Sequence, residues 1–321
     1  MLLLIGVRWV HICASVLLAS IFVFKLVIVG PPLKRSPGLP TLLPEFILRL
    51  LYNFAWKIWI VEIVSSLLWL WAISASMTGV GFVAALSPEI WSTVLFGTQF
   101  GHVWIIRSTI GLILGSSLWL IAARRSRMSY PEILPAALAM AQLVSLAWTG
   151  HAAADVGPYG SVHLANDAAH LAVAAFWPGG LVPLAALLLP LLKSKQAALS
   201  RTTAQVIRRF SISSLIAVAI LWLTGLINSF FLVGSIQALL TGTYGQILLC
   251  KVVLFLSMVG FGAWNLFVLK PKLAIDIPAK NFTCQEPATH SLLRNVLWEI
   301  GFGTVIIMIV AILGITPPTM R

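Results

Sequence analysis

The stretch "LLLIGVRWVHICASVLLASIFVFKLVIV", residues 2–29, decides the fold. About 20 helical residues cross the hydrocarbon core of a bilayer. This run is longer, and Arg8, His11 and Lys25 are its only basic side chains, with no acidic one. It is too long for the apolar core of a signal peptide, and no small-residue cleavage site precedes Pro31 and Pro32. It therefore reads as a membrane-spanning helix. Arg8 and His11 stand three residues apart, hence on one helical face. Within a membrane such a face points into the bundle and not at lipid.

The same reading repeats along the chain. Spans are expected near residues 2–29, 54–77, 101–123, 132–150, 162–192, 210–233, 245–269 and 295–315. Of the 321 residues, 60% are hydrophobic and only 9% charged, against roughly 25% charged in an ordinary soluble domain. No soluble domain of useful size remains between the spans. The expected fold class is all-α: a polytopic membrane bundle of eight transmembrane helices, one membrane domain over residues 1–321, with lipid as its surroundings.

The net charge of +12 does not point to nucleic acid, because the basic residues are dealt to alternate loops and form no continuous patch. The loops after spans one, three, five and seven hold Lys34, Arg35 and Arg49; Arg124, Arg125 and Arg127; Lys193, Lys195, Arg201, Arg208 and Arg209; and Lys270, Lys272, Lys280 and Arg294. The loops after spans two, four and six hold no lysine or arginine. Positive loops stay in the cytoplasm, so both termini are expected on the outer, periplasmic side of a bacterial inner membrane. Cys13, Cys250 and Cys284 are far apart with no CxxC pairing, which fits neither a disulfide framework nor a thiolate clamp.

Local signals add detail. In "LSPEIWSTVLFG", Ser87 can cap a helix with Pro88 at its first position and Glu89 in its first turn, predicting a short surface helix on the outer side. "PEFILRLLYNF", residues 44–54, is amphipathic and predicts another on the inner side. Pro178, Gly179, Gly180 and Pro183 predict a kink in span five.

Five of the six histidines fall in the outer half under this topology. His102, His151 and His163 form an expected outer layer, and His11 and His170 a deeper one. His290 is expected in a cytoplasmic loop. In span five the helical period brings His163, Asp167, His170 and Trp177 onto one face, with Asn166 at its edge. Asp155 is placed to assist the outer layer, and Asp167 to accept a proton from a ring nitrogen and fix its tautomer. Arg107 and Lys251 are further buried charges, and Lys251 shares a stripe with Tyr244 and Asn265. Lys251 can pair with Asp167, bind an anionic group or snorkel outward. Glu62 and Glu299 are expected near the inner ends of spans two and eight, opposite loop arginines. Imidazole and carboxylate without thiolate suit Cu(II), Zn(II) or a haem iron. Residue types alone leave that choice open.

Several pieces carry a family resemblance: "VRWVHICAS" (7–15), "FGHVWIIRS" (100–108), "WTGHAAA" (148–154), "HLANDAAHLAVAAFWPGGL" (163–181), "RRFSISS" (208–214), "LTGLINS" (223–229), "TYGQILLCKVVLF" (243–255) and "WEIGFG" (298–303). In this order the sequence resembles the copper resistance protein D (CopD) family of bacterial inner-membrane proteins. The resemblance implies a copper ion as cargo, transport or resistance as the role, and a periplasmic CopC-like copper-binding protein as partner. It marks His102, His151, His163 and His170, with His11 and Lys251. No catalytic residue is assigned, and a transport or homeostasis protein is favoured over an enzyme. The alternative is a haem-dependent membrane oxidoreductase, a cupric reductase or quinol-linked protein, with His11 and His170 as axial ligands of haem b. A third reading is a scaffold whose histidines only hydrogen-bond.

Overall fold

The computed structural model describes residues 1–31, 42–123, 133–155, 157–193, 201–272 and 285–319. The expected loop cations Lys34, Arg35, Arg124, Arg125, Arg127, Lys195 and Lys280, and Cys284, lie outside them. The chain is an all-α bundle. In order, its helices are α1 (Leu2–Val23, continued as a π-helix over Phe24–Val29), α2 (Leu42–Thr78), α3 (Pro88–Gly97), α4 (Gln99–Ala123) and α5 (Ile133–Val144, continued as 3-10 turns to Ala154). They are followed by α6 (Gly160–Ala174), α7 (Leu181–Lys193), α8 (Arg201–Val233), α9 (Ile236–Thr241), α10 (Thr243–Trp264, continued as a π-helix over Asn265–Leu269) and α11 (Gln285–Leu313).

Six of these stretches are long and apolar enough to cross a membrane: Leu2–Val29, Arg49–Thr78, Gln99–Ala122, Gln205–Val233, Thr243–Leu269 and Ala288–Leu313. The fourth expected span is the shorter apolar helix Ile133–Thr149. The fifth is a broken helix. α6 has 15 residues and α7 has 13, about 22 Å and 20 Å at 1.5 Å per residue. The break falls at residues 175–180, where Pro178 has no amide hydrogen to donate.

Helix α1 is the hub. Inside the bundle, 72% of its apolar window is buried, against 11–44% for the other five crossings. It packs on α2, α5 and α11 and touches α7. Small residues on α1, Ala14, Ser15, Ala19 and Ser20, are all buried and let its neighbours approach closely. At Ser20 the approach is closest: a Cβ on Gly179 would collide with the Ser20 hydroxyl, so the broken segment between α6 and α7 is seated directly on α1.

Helices α2 and α4 are joined by aromatic donors. Trp59 Nε1 donates to the Gly111 carbonyl at 2.8 Å, Trp104 Nε1 to the Ser66 carbonyl at 3.1 Å, and the Tyr52 hydroxyl to the Leu118 carbonyl. Gly115 leaves room for the Trp59 indole, whose ring occupies the place where its Cβ would stand. At the far end of α1, Arg209 Nε and Nη2 both donate to the Val27 carbonyl, at 3.1 and 2.8 Å. Val27 lies in the π-helical end of α1.

Several local expectations hold. Ser87 caps α3, its side chain accepting from Ile90 N, with Pro88 and Glu89 in the first turn. Gly79 and Gly234 follow α2 and α8 at φ 71° and 73°, the left-handed conformation that glycine adopts without penalty at helix ends. One expectation is corrected: residues 44–54 do not form a separate surface helix but are the first turns of α2, a 37-residue helix. Pro44 sits in its opening turn, where proline is tolerated, and no further proline or glycine interrupts the run. His290 belongs to α11 and not to a loop, and it is exposed.

Replacing Gly115 with Leu drives a side chain into the Trp59 ring. Overpacking of this kind costs about 1–3 kcal/mol, so a lower thermal midpoint in detergent is expected. An unchanged midpoint would mean that α2 and α4 are not packed in this way.

Candidate polar centres in the bundle

Two polar networks hold most of the residues singled out in the sequence. The first joins α1, α2, α4 and the end of α5. Arg107 Nη2 contacts His11 Nε2 at 2.7 Å, while its Nη1 donates to the Gln142 carbonyl and to Ser145 Oγ, both at 2.6 Å. Guanidinium only donates, so His11 Nε2 accepts and Nδ1 carries the ring hydrogen. That hydrogen goes to Ser65 Oγ at 3.0 Å, and the Ser65 hydroxyl donates on to the Glu62 carbonyl at 3.1 Å. Both ring nitrogens of His11 are thus engaged, and the ring is wholly buried. The Arg8 guanidinium stacks over Trp69 at 5.1 Å, and the His11 ring lies 5.2 Å from the same indole.

Glu62 belongs to this network. Its Oε1 accepts the Ser15 hydroxyl at 2.7 Å. It lies near the middle of the crossing Arg49–Thr78 and is fully buried, which corrects the expected place at an inner end. Glu299 is corrected in the same way. It is 1% exposed, accepts from Asn265 Nδ2 at 2.8 Å, and is hydrogen-bonded by the Trp177 indole. Asn295 Nδ2 donates to Asn265 Oδ1 at 2.8 Å, which extends that chain. Among the described residues, the hydrogen-bond partners of both carboxylates lie inside the bundle, and none is a loop arginine.

The second network lies between α6, α8 and α10 and centres on Asp167. Asn228 Nδ2 donates to Asp167 Oδ1 at 3.0 Å, and Asn166 Nδ2 donates to Asn228 Oδ1 at 2.7 Å and to the Thr224 carbonyl at 2.9 Å. Lys251, His163 and His151 are all within electrostatic reach of this carboxylate, and so is Tyr244. Lys251 also acts on His170. The Thr224 hydroxyl gives its hydrogen to the Ile220 carbonyl at 2.8 Å. His170 Nδ1, 2.8 Å from Thr224 Oγ1, is therefore the donor, and His170 Nε2 keeps its lone pair.

In the first turn of α6, His163 Nδ1 donates to Asp155 Oδ2 at 3.1 Å, and its ring stacks on Phe231 at 4.6 Å and 8°. The acceptor role of the carboxylate fixes the hydrogen on Nδ1, so a neutral His163 presents a bare Nε2. The Gly157 amide donates to Asp155 Oδ1 at 3.0 Å. This amide first, and the His163 ring second, hold the Asp155 carboxyl below the usual carboxylate range. The tautomer-fixing role expected of Asp167 falls instead to Asp155. His151 Nε2 contacts the Leu313 carbonyl at 3.0 Å, with its ring 6.2 Å from Tyr244. His102 stands apart: it is exposed, and its Nε2 contacts the Phe96 carbonyl at 3.1 Å.

The structure therefore sets His151, His163, Lys251 and Tyr244 in the field of Asp167, links Asn166 to it through Asn228 and His170 to the same network through Thr224 and Lys251, and places His11 and Arg107 in a different network. Among the described residues, no three His, Cys, Asp or Glu side chains converge as a metal site. Sequence reading missed Ser15, Ser65, Gln142, Ser145, Thr224 and Asn228. Their one signal is that each is a polar residue inside an apolar span.

Two family models match the chain: copper resistance protein D-like, N-terminal domain, over residues 1–161, and copper resistance protein D over residues 204–313. Among curated relatives, the inner membrane protein YebZ of Escherichia coli is 28% identical, covering 98% of each chain. Copper resistance protein D of Pseudomonas syringae is 31% identical over 70% of each chain. The copper transport protein CutJ of Bacillus subtilis is 35% identical over 58% of this chain and 34% of its own. No solved structure matches.

Removing Arg107 leaves His11, Ser145 and the Gln142 carbonyl without their donor. Arg107→Met is expected to cost about 3–5 kcal/mol, the range for breaking a buried charged network, read as loss of thermal stability in detergent. Before α6, a lowered folded pKa means that the Asp155 contribution is present above the unfolded value of about 4 and disappears as pH falls through the folded value. The stability gap between wild type and Asp155→Asn should thus be open at neutral pH and close in acid. A gap that persists in acid contradicts the contact.

Proposed function

Because the chain belongs to the copper resistance protein D family, we propose that it handles copper at the bacterial inner membrane, in transport or resistance. In this reading the chain crosses eight times with both termini on the periplasmic side, α6 and α7 together making the fifth crossing. Copper enters from the outer side, delivered by a CopC-like periplasmic protein, and is received at the Asp167 centre.

The observation that carries the reading is His163. Its Nδ1 is tied to Asp155 and its Nε2 is left as a lone pair, the arrangement by which outer carboxylates orient metal-binding imidazoles. His170 repeats the pattern deeper in the same helix, with Thr224 as the orienting group. Asp167 supplies negative charge between them, and His151 lies within its field. Imidazole and carboxylate suit Cu(II) in particular. Lys251 neutralises Asp167 while no cation is present, and an arriving cation displaces or competes with its ammonium. No observation favours the haem alternative: His11, one of its two axial candidates, has both ring nitrogens hydrogen-bonded.

Cells expressing His163→Ala or His170→Ala should accumulate less copper than wild type, with a change in copper resistance. Asp155→Asn, which removes an orienting carboxylate, should weaken binding by about 10–100-fold. Lys251→Met removes the competing charge and should strengthen binding at the outer site. Unchanged accumulation and resistance in both histidine variants would remove the proposal.

A further inference from the structure

Arg8 is a buried cation without an acceptor. Its side chain is 7% exposed, its Nε is enclosed with no hydrogen-bond partner, and its guanidinium makes no hydrogen bond among the described residues. Arginine keeps its charge in proteins, and a buried charge is costly unless it is paired and hydrogen-bonded. Arg107 meets both conditions: it bonds His11, the Gln142 carbonyl and Ser145, and it stands in the field of Glu62. Arg8 meets neither, since no acidic side chain among the described residues acts on it.

The groups around Arg8 do not take the missing role. Its guanidinium lies 5.1 Å over the Trp69 ring. Such stacking offsets part of the cost of the charge, but the N–H bonds lie in the plane of the guanidinium, and stacking leaves them unused. Arg8 Nη2 rests against Gly314, where a Cβ would collide with it. At this end of α11 the Val310, Ile312 and Leu313 carbonyls already accept from the Gly314, Ile315 and Thr316 amides. Trp69 adds a second unpartnered donor: it is 2% exposed, and its Nε1 has no acceptor. Two stacked side chains, one of them charged, thus both carry buried N–H groups without acceptors. An oxyanion supplies what they lack, negative charge together with several acceptor oxygens.

We propose that Arg8 is an anion site of the bundle that takes a phosphate oxyanion, with the guanidinium as charged donor and the Trp69 indole as the second. Arg8 follows Leu2, the first residue of α1, by six positions, about 9 Å along the helix. A lipid headgroup reaches that depth, and basic pockets between membrane helices hold such headgroups. Free phosphate offers the same chemistry. The bound anion neutralises Arg8 where α1, α2 and the end of α11 meet. The proposal stands without the copper reading.

The test is calorimetric titration of the delipidated protein in detergent, without copper, with inorganic phosphate in one arm and a short-chain phosphatidylglycerol in the other. The expected result is saturable one-to-one binding; heat in the phosphate arm assigns a free anion, and heat in the lipid arm alone assigns a headgroup. Arg8→Met should abolish it. Trp69→Phe keeps the ring, removes the N–H, and should weaken binding about tenfold. Should Arg8→Met fail to fold, Arg8→Lys keeps the charge without the planar fork and must bind more weakly. No saturable binding in either arm overturns the proposal. So does binding that survives Arg8→Met, or an affinity unchanged in Arg8→Lys and Trp69→Phe.

Discussion

Arg107 holds the amino-terminal half of the bundle together. Its guanidinium reaches His11 on α1 and both the Gln142 carbonyl and Ser145 hydroxyl at the end of α5, and through His11 and Ser65 the chain of hydrogen bonds continues into α2. In lipid the helices gain nothing from hiding apolar surface from one another, so packing and hydrogen bonds between helices must specify the bundle. Because a buried guanidinium stripped of its acceptors is costly, the packing of α1, α2, α4 and α5 that satisfies Arg107 is favoured over arrangements that do not. The aromatic donors between α2 and α4, from Trp59, Trp104 and Tyr52, then fix the register of that pair.

The carboxy-terminal half is organised around the opposite charge. Asp167 gathers Asn228 by a direct bond and Lys251, His163 and His151 by their fields. The two halves meet along α1, which packs on α11 as well as on α2 and α5. An arginine-centred network and an aspartate-centred one thus lie mostly on different helices, the 3-10 end of α5 giving Ser145 to the first and His151 to the second. This separation is why His11 and His170, alike in depth on paper, have no hydrogen-bonding partner in common.

Much of this was legible in the sequence. Hydropathy located the six helices long and apolar enough to cross a membrane, Ser87 and Pro88 announced the short helix α3, and Pro178 announced the break between α6 and α7. The helical period alone placed His163, Asp167 and His170 on one face of α6. What the period cannot supply is the partner across the gap. Asp155, and not Asp167, orients His163 because the turn at Gly157 folds the loop back over the end of α6. Glu62 and Glu299 were misread because a carboxylate in an apolar span was matched with charges in the loops. Their actual partners, Ser15 and Asn265, are uncharged and distant in sequence. Residues 44–54 were misread because amphipathicity cannot distinguish a helix that ends at the membrane surface from one that continues through it.

The central claim is that copper is received at His163, whose imidazole Asp155 orients. Its most direct test is electron paramagnetic resonance of Cu(II) added to the detergent-purified protein, with metal content and an optical spectrum taken on the same sample. The account predicts bound copper with imidazole-nitrogen couplings that vanish in His163→Ala, and no haem absorption. Copper that does not bind, a signal indifferent to His163, or a Soret band that sharpens on reduction would contradict it.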